Sequence, residues 1–83
     1  MKCKATVELF RKPGVLDPEG QTIAHALASL GYQDVQSVGV GKRIDVSLEA
    51  EGLQEAKLRV EDMANRLLAN PVLETFRVTV EEA

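Results

Sequence analysis

The sequence predicts an α+β fold: a β-α-β-β-α-β chain arranged as a two-layer sandwich, with a four-stranded antiparallel sheet and two helices on one face, ferredoxin-like or closely related. Three observations carry this expectation. Apolar and polar residues alternate in the first, middle and last stretches of the chain, which is the period of a half-buried strand. Two intervening stretches space their apolar residues three and four apart, the period of an amphipathic helix. Pro13-Gly14, Gly31 and Asn70-Pro71 separate these stretches with residues that end regular structure.

The first strand spans residues 2–12, with Cys3, Ala5, Val7 and Leu9 on one face and Lys4, Thr6, Glu8 and Phe10 on the other. Asp17-Pro18 reads as an N-cap followed by proline at the first helical position. Glu19 adds negative charge at the positive helix end. Ile23, Ala26, Leu27 and Leu30 then form one apolar stripe, and Gly31 is placed to end the helix in a left-handed conformation. Val38 and Val40 predict a second strand. A Gly41-Lys42 turn leads to a third strand through Ile44, Val46 and Leu48, and the two strands together suggest a hairpin. A second helix is expected over residues 53–69, burying Leu53, Ala56, Val60, Met63, Ala64 and Leu67. Its outer face carries the four-residue pairs Glu55–Arg59 and Asp62–Arg66. Residues 72–82 close the chain as a fourth strand with Phe76, Val78 and Val80 alternating. Ala24, Leu27, Val38 and Val40 recur forty residues later as Ala64, Leu67, Val78 and Val80, a weak echo that suggests two related β-α-β halves.

With 83 residues, the chain has room for one domain, residues 1–83, and a chain this short buries a modest fraction of its surface. One cysteine and one histidine provide neither a disulfide nor a zinc set, so association with another chain is the expected support. The net charge of −3, with cations dispersed among anions, argues against nucleic acid and against a polybasic membrane anchor. No apolar run has the length of a membrane span. The lone Cys3 fits a reducing, cytoplasmic setting.

The inventory of reactive groups is poor, and no catalytic, cofactor-binding or metal-ligating residue is assigned. His25 falls roughly 200° round the helix from Ile23 and points outward, without a carboxylate to orient it. Cys3 has no evident base and reads as a small apolar residue. Gly39-Val40-Gly41-Lys42 lacks the glycine spacing and the following Ser or Thr of a phosphate loop. The polar sheet face lacks the aromatic platform that an RNA-binding sheet needs. Three residues stand out as candidate partner contacts: Lys42 and Arg43 at the expected turn, and Leu58, an apolar residue among charges opposite the buried stripe.

Several segments together resemble one family. They are Val15-Leu16-Asp17-Pro18-Glu19-Gly20, Ala26-Leu27, Leu30-Gly31, Val35-Gln36 with Val38 and Gly41-Lys42, and residues 67–74, Leu-Leu-Ala-Asn-Pro-Val-Leu-Glu. In this order and spacing they resemble PurS, the small subunit of phosphoribosylformylglycinamidine synthase, over essentially the whole chain. Gly39 departs from the basic residue that relatives often carry there. The resemblance implies a PurS-like fold and a non-catalytic assembly subunit of purine biosynthesis. It also implies a homodimer or higher homo-oligomer that bridges a PurL synthetase and a PurQ glutaminase and supports ammonia transfer between them. ATP and glutamine would be used by the parent complex and not bound by this chain. Two other readings stand beside it: a small-molecule-sensing regulatory domain, for which residues 13–20 are the only candidate ligand loop, and an acylphosphatase-like hydrolase, for which Arg11 lacks a glycine-rich anion cradle.

Overall fold

A computed structural model describes Met1–Ala83. The chain runs β1 (Lys2–Arg11), α1 (Pro18–Ser29), β2 (Lys42–Glu49), α2 (Leu53–Met63), a π-helical turn (Ala64–Leu68) and β3 (Glu74–Glu82). β1 is central in a three-stranded sheet of order β2-β1-β3, antiparallel to both neighbours. Val7 pairs with Ile44 on one side and Val78 on the other. This register puts every inward residue of β1 in the middle of the apolar layer. Cys3, Ala5, Val7 and Leu9 are buried as their alternation predicts. Val60 and Ala64 close over Ala5, Val7, Leu9 and Val78 from the helical side, while Ala56 meets Cys3 and Ala50 at the other end.

The sheet has three strands, which corrects the four-stranded, ferredoxin-like expectation. Residues 35–41, where Val38 and Val40 suggested a strand, form an irregular return segment with no sheet partner. The reason lies in where their backbone groups go. The Val40 N–H donates to the Asp17 carboxylate at 2.9 Å. The Val38 carbonyl lies against Gly20, so closely that a Cβ there would stand 2.1 Å from it. A Cβ on Gly41 would stand 2.5 Å from the Leu9 carbonyl oxygen. The segment is therefore tied to the base of α1 and the end of β1. Val40 N–H is thereby lost to any ladder, and glycines at 39 and 41 weaken the segment further as a strand. No hairpin forms, and Lys42 and Arg43 open β2 directly.

Only α2 covers the sheet, mainly over β1 and β3; α1 makes no substantial contact with either the sheet or α2. The helix is nevertheless well built. Asp17 caps Gly20 N–H at 3.0 Å, and Gly31, at φ 104°, ends it. Tyr32 N–H returns to the Leu27 carbonyl and Gly31 N–H to that of Ala28, both at 3.0 Å, which is a Schellman closure. Its apolar stripe is left in the open: Ile23, Ala26 and Leu30 are exposed and Leu27 is half-buried. The two halves therefore do not repeat each other, since Val78 and Val80 lie in β3 while Val38 and Val40 lie outside the sheet.

Residues 53–69 are helical almost throughout, as their periodicity predicts, but the last turn is π. Ala69 N–H reaches back five residues to the Ala64 carbonyl at 2.9 Å. The wider turn advances the inward position by one residue. Leu68 packs against the core, and Leu67, expected to be buried, is 81% exposed. Leu53, also expected inside, is exposed at the helix start.

Candidate functional site

The surface divides into three regions that the fold positions differently. The first is the open face of the sheet, where the outward residues of β1 meet their cross-strand neighbours. Glu8 accepts from Arg77 Nε at 3.1 Å and Nη2 at 2.8 Å. Asp45 accepts from Arg43 Nε at 3.0 Å and from Thr6 Oγ1 at 3.4 Å. Arg77 also stacks 5.6 Å from the centre of the Phe10 ring. Charges on this face are matched across the strands, as the alternation of both sequences dictates. Each exposed pair adds little stability.

Lys42 and Arg43 are adjacent in sequence, and the pleat of β2 separates their side chains. Arg43 lies opposite Glu8 on the open face. Lys42 lies opposite Leu9, on the face that carries α2, and pairs with Glu74 at 3.7 Å. A partner lying on one face of the sheet would therefore meet only one of them. Leu58 stands where its spacing predicts, outward on α2 and 58% exposed. His25 is exposed on α1, and the thiol of Cys3 is buried with Met1 carbonyl as its nearest acceptor at 3.8 Å. No group of three His, Cys, Asp or Glu side chains gathers at one point.

The second region is apolar and was not read from the sequence. α2 leaves the β2 side of its sheet face incompletely covered, so that Ile44, Val46 and Leu48 are only half-buried. The stripe of α1, which would cover them in a ferredoxin-like sandwich, projects away. One apolar face without a lid and one lid without a face thus coexist in the same chain.

The third region is the base of that projection. Asp17 connects three segments through one carboxylate. Oδ1 accepts from Gly20 N–H at 3.0 Å, Oδ2 from Val40 N–H at 2.9 Å, and Arg11 Nε stands 3.7 Å away. The bond from Val40 first, and then that from Gly20, hold this carboxyl below its ordinary value of 3.8; burial opposes them, and the Arg11 charge adds the smallest lowering effect. The sequence marked Asp17 as a helix cap. Its second bond, to a residue 23 positions away, has no local signature.

The fold and its surfaces define an elongated α+β domain whose helical arm and half-covered sheet present apolar area to the outside. The sequence model of PurS, described as Phosphoribosylformylglycinamidine (FGAM) synthase, matches residues 4–82. A Methanocaldococcus jannaschii relative named phosphoribosylformylglycinamidine synthase subunit PurS is 46% identical over 79 residues, 95% of each chain. The crystal structure of a PurS from the same organism, one of the subunits of formylglycinamide ribonucleotide amidotransferase in the purine biosynthetic pathway, superposes with a TM-score of 0.86 at 43% identity and 98% of each chain. A chain in the structure of PurLQS from Thermotoga maritima superposes at 0.87 with 30% identity, over 98% of this chain and 99% of that one. The chain belongs to the PurS family. No helix in it is long and apolar enough to cross a membrane.

Proposed function

We propose that this chain is a non-catalytic assembly subunit of phosphoribosylformylglycinamidine synthase in purine biosynthesis, joined to a PurL-type synthetase and a PurQ-type glutaminase. Membership of the PurS family over residues 4–82 carries this reading, and the likeness to a chain of the Thermotoga maritima PurLQS structure supports it. In this reading ATP and glutamine are handled by the large partners, and this chain binds neither. Its contribution is alignment: ammonia released at one site must reach another without escaping, and a bridge that fixes the two sites relative to each other removes an entropic cost. We place the complex in the cytoplasm, where the single thiol of Cys3 stays reduced.

In the same reading the chain acts as a homo-oligomer, most simply a dimer. The stripe of α1 from one copy lies over Ile44, Val46 and Leu48 of the other. This pairing gives each exposed apolar face a cover of matching character.

The test is turnover with glutamine and with free ammonia, each with and without this chain, in the presence of the two large subunits. Glutamine-dependent amidine formation should require the chain, and concentrated ammonia should bypass part of the requirement. Equal glutamine-dependent rates with and without it would refute the bridging role. An equally severe loss with both nitrogen sources would indicate a chain that orders the synthetase site itself.

A further inference from the structure

The arm formed by α1 has a base of unusual construction. Two backbone segments cross there at distances that admit no side chain. Gly20 lies against the Val38 carbonyl, and Gly41 against the Leu9 carbonyl. The arm makes no substantial contact with the sheet or with α2, so the crossing at its base orients it within the protomer. The only side chain that bonds both crossing segments is Asp17. An N-cap needs one acceptor oxygen, which Asn or Ser supplies as well as Asp. The second oxygen, which receives Val40 N–H from the return segment, is surplus to capping.

We propose that the Asp17 carboxylate is a latch, a positioning residue that fixes the direction in which α1 leaves the sheet and thereby sets where the arm meets its partner. One oxygen orders the outgoing helix and the other clamps the incoming segment to it. Arg11, at the end of β1, supports the carboxylate from the sheet side and also donates to the Leu16 carbonyl at 3.2 Å. With both oxygens engaged, the first turn of α1, the return segment and the end of β1 move as one piece. With only the cap, α1 stays helical but swings about its base. The function assigned to the latch rests on the reading of this chain as an assembly subunit whose arm makes contacts.

Three full-length variants separate latch from cap. Asp17→Asn and Asp17→Ser each keep one acceptor for Gly20 N–H and lose the simultaneous acceptor for Val40 N–H. Asp17→Ala loses both. Amide exchange reads the local effect. In Asp17→Asn and Asp17→Ser, protection at Val40 should fall at least about ten-fold, the worth of a hydrogen bond to a charged group. Amides of α1 and of β1 to β3 should keep theirs. Sedimentation of the same samples reads self-association, which should weaken about ten-fold or more in Asn and Ser as well as in Ala. Unchanged Val40 protection in Asp17→Asn would overturn the latch. Lost protection with wild-type self-association would overturn its positioning role. Weakening in Ala alone would reduce Asp17 to an ordinary cap. A wild-type chain that remains monomeric in the same runs would overturn the self-association reading itself, and with it the task given to the latch, while the exchange data would still report the clamp.

Discussion

Asp17 illustrates how one residue can carry more structure than its local sequence announces. Its depressed carboxyl value has a direct consequence for pH dependence. A group whose folded value lies below its unfolded value contributes stability that is fully present above the unfolded value. For Asp17 the contribution is present above about pH 4 and is lost as pH falls through the folded value. The base of the arm should therefore loosen in acid, read as rising exchange at Val40, and Asp17→Asn should flatten that dependence. Protection at Val40 in the two proteins should converge in acid, and a difference between them that stays constant from neutral pH to well below about pH 4 would contradict this. Leu58 poses a different question at the same scale. It is exposed on α2, so Leu58→Glu should shift folding stability by no more than about 0.5 kcal/mol. If Leu58 touches a partner, the change weakens assembly with the large subunits. Retained affinity in a titration would remove it from the interface. Lys42→Ala and Arg43→Ala should now differ, because the two side chains lie on opposite faces of β2. Measured separately, any partner effect should follow one of them.

At the scale of the element, the second helix shows how a register slip redistributes side chains. A continuous 3.6-residue repeat from Val60 and Ala64 places Leu67 inside. The π turn at Ala64–Leu68 hands the inward position to Leu68 instead. Leu68→Ala should consequently cost about 2 kcal/mol, at the low end for a leucine truncation because the residue is only half-buried. Leu67→Ala should lie within about 0.5 kcal/mol of wild type. Chemical denaturation of the two variants checks the assignment, and reversed costs would argue for an uninterrupted α-helix. Gly20 raises a similar point for α1. Alanine normally favours a helix over glycine by about 1 kcal/mol, yet here its Cβ would stand 2.1 Å from the Val38 carbonyl. Backbone must move to admit it. Gly20→Ala should thus open the arm base, read as protease cleavage within residues 35–41 at a rate the wild type does not show.

For the whole molecule, the governing fact is shape. The radius of gyration is 16.4 Å and the principal extents are 50 × 26 × 14 Å. A compact chain of this length would have a radius of about 12 Å. A protomer so extended buries little of its own apolar surface, and Ile23, Leu30 and Tyr32 remain exposed along the arm. Self-association is the expected remedy. Light scattering at micromolar concentration should report a dimer or larger species, and monomer alone would contradict this. Ile23→Glu tests the face involved. Ile23 is exposed on a helix that makes no substantial contact with the sheet or α2, so β1 to β3 and α2 should stay folded while the sedimenting species becomes smaller. Leu9→Ala is the complementary control. It removes a fully buried side chain from the central strand, at about 2–5 kcal/mol, and should unfold the sheet and not merely dissociate the copies.

Much of the fold was legible because its signals are local. The alternation of Cys3, Ala5, Val7 and Leu9 places the buried face of β1. Asp17-Pro18 and Gly31 bound α1, and Asn70-Pro71 follows the end of the second helix. The family was legible as well, through motifs spread along the whole chain. What the sequence left open are relations between distant segments. Whether Val38 and Val40 pair in a sheet depends on where Val40 N–H finds an acceptor, and the acceptor is Asp17, on the far side of α1. Whether the stripe of α1 is buried depends on the direction in which the arm leaves its base, and a stripe has the same period on a packed helix as on a projecting one. Whether Leu67 or Leu68 faces inward depends on one displaced backbone hydrogen bond. The sequence by itself determined the three strands that form, the two helices and the buried face of β1, because periodicity and capping act over a few residues. Only the tertiary structure decided that one strand is absent and one helix stands free, because those outcomes turn on contacts between distant segments, such as Asp17 with Val40, 23 positions apart.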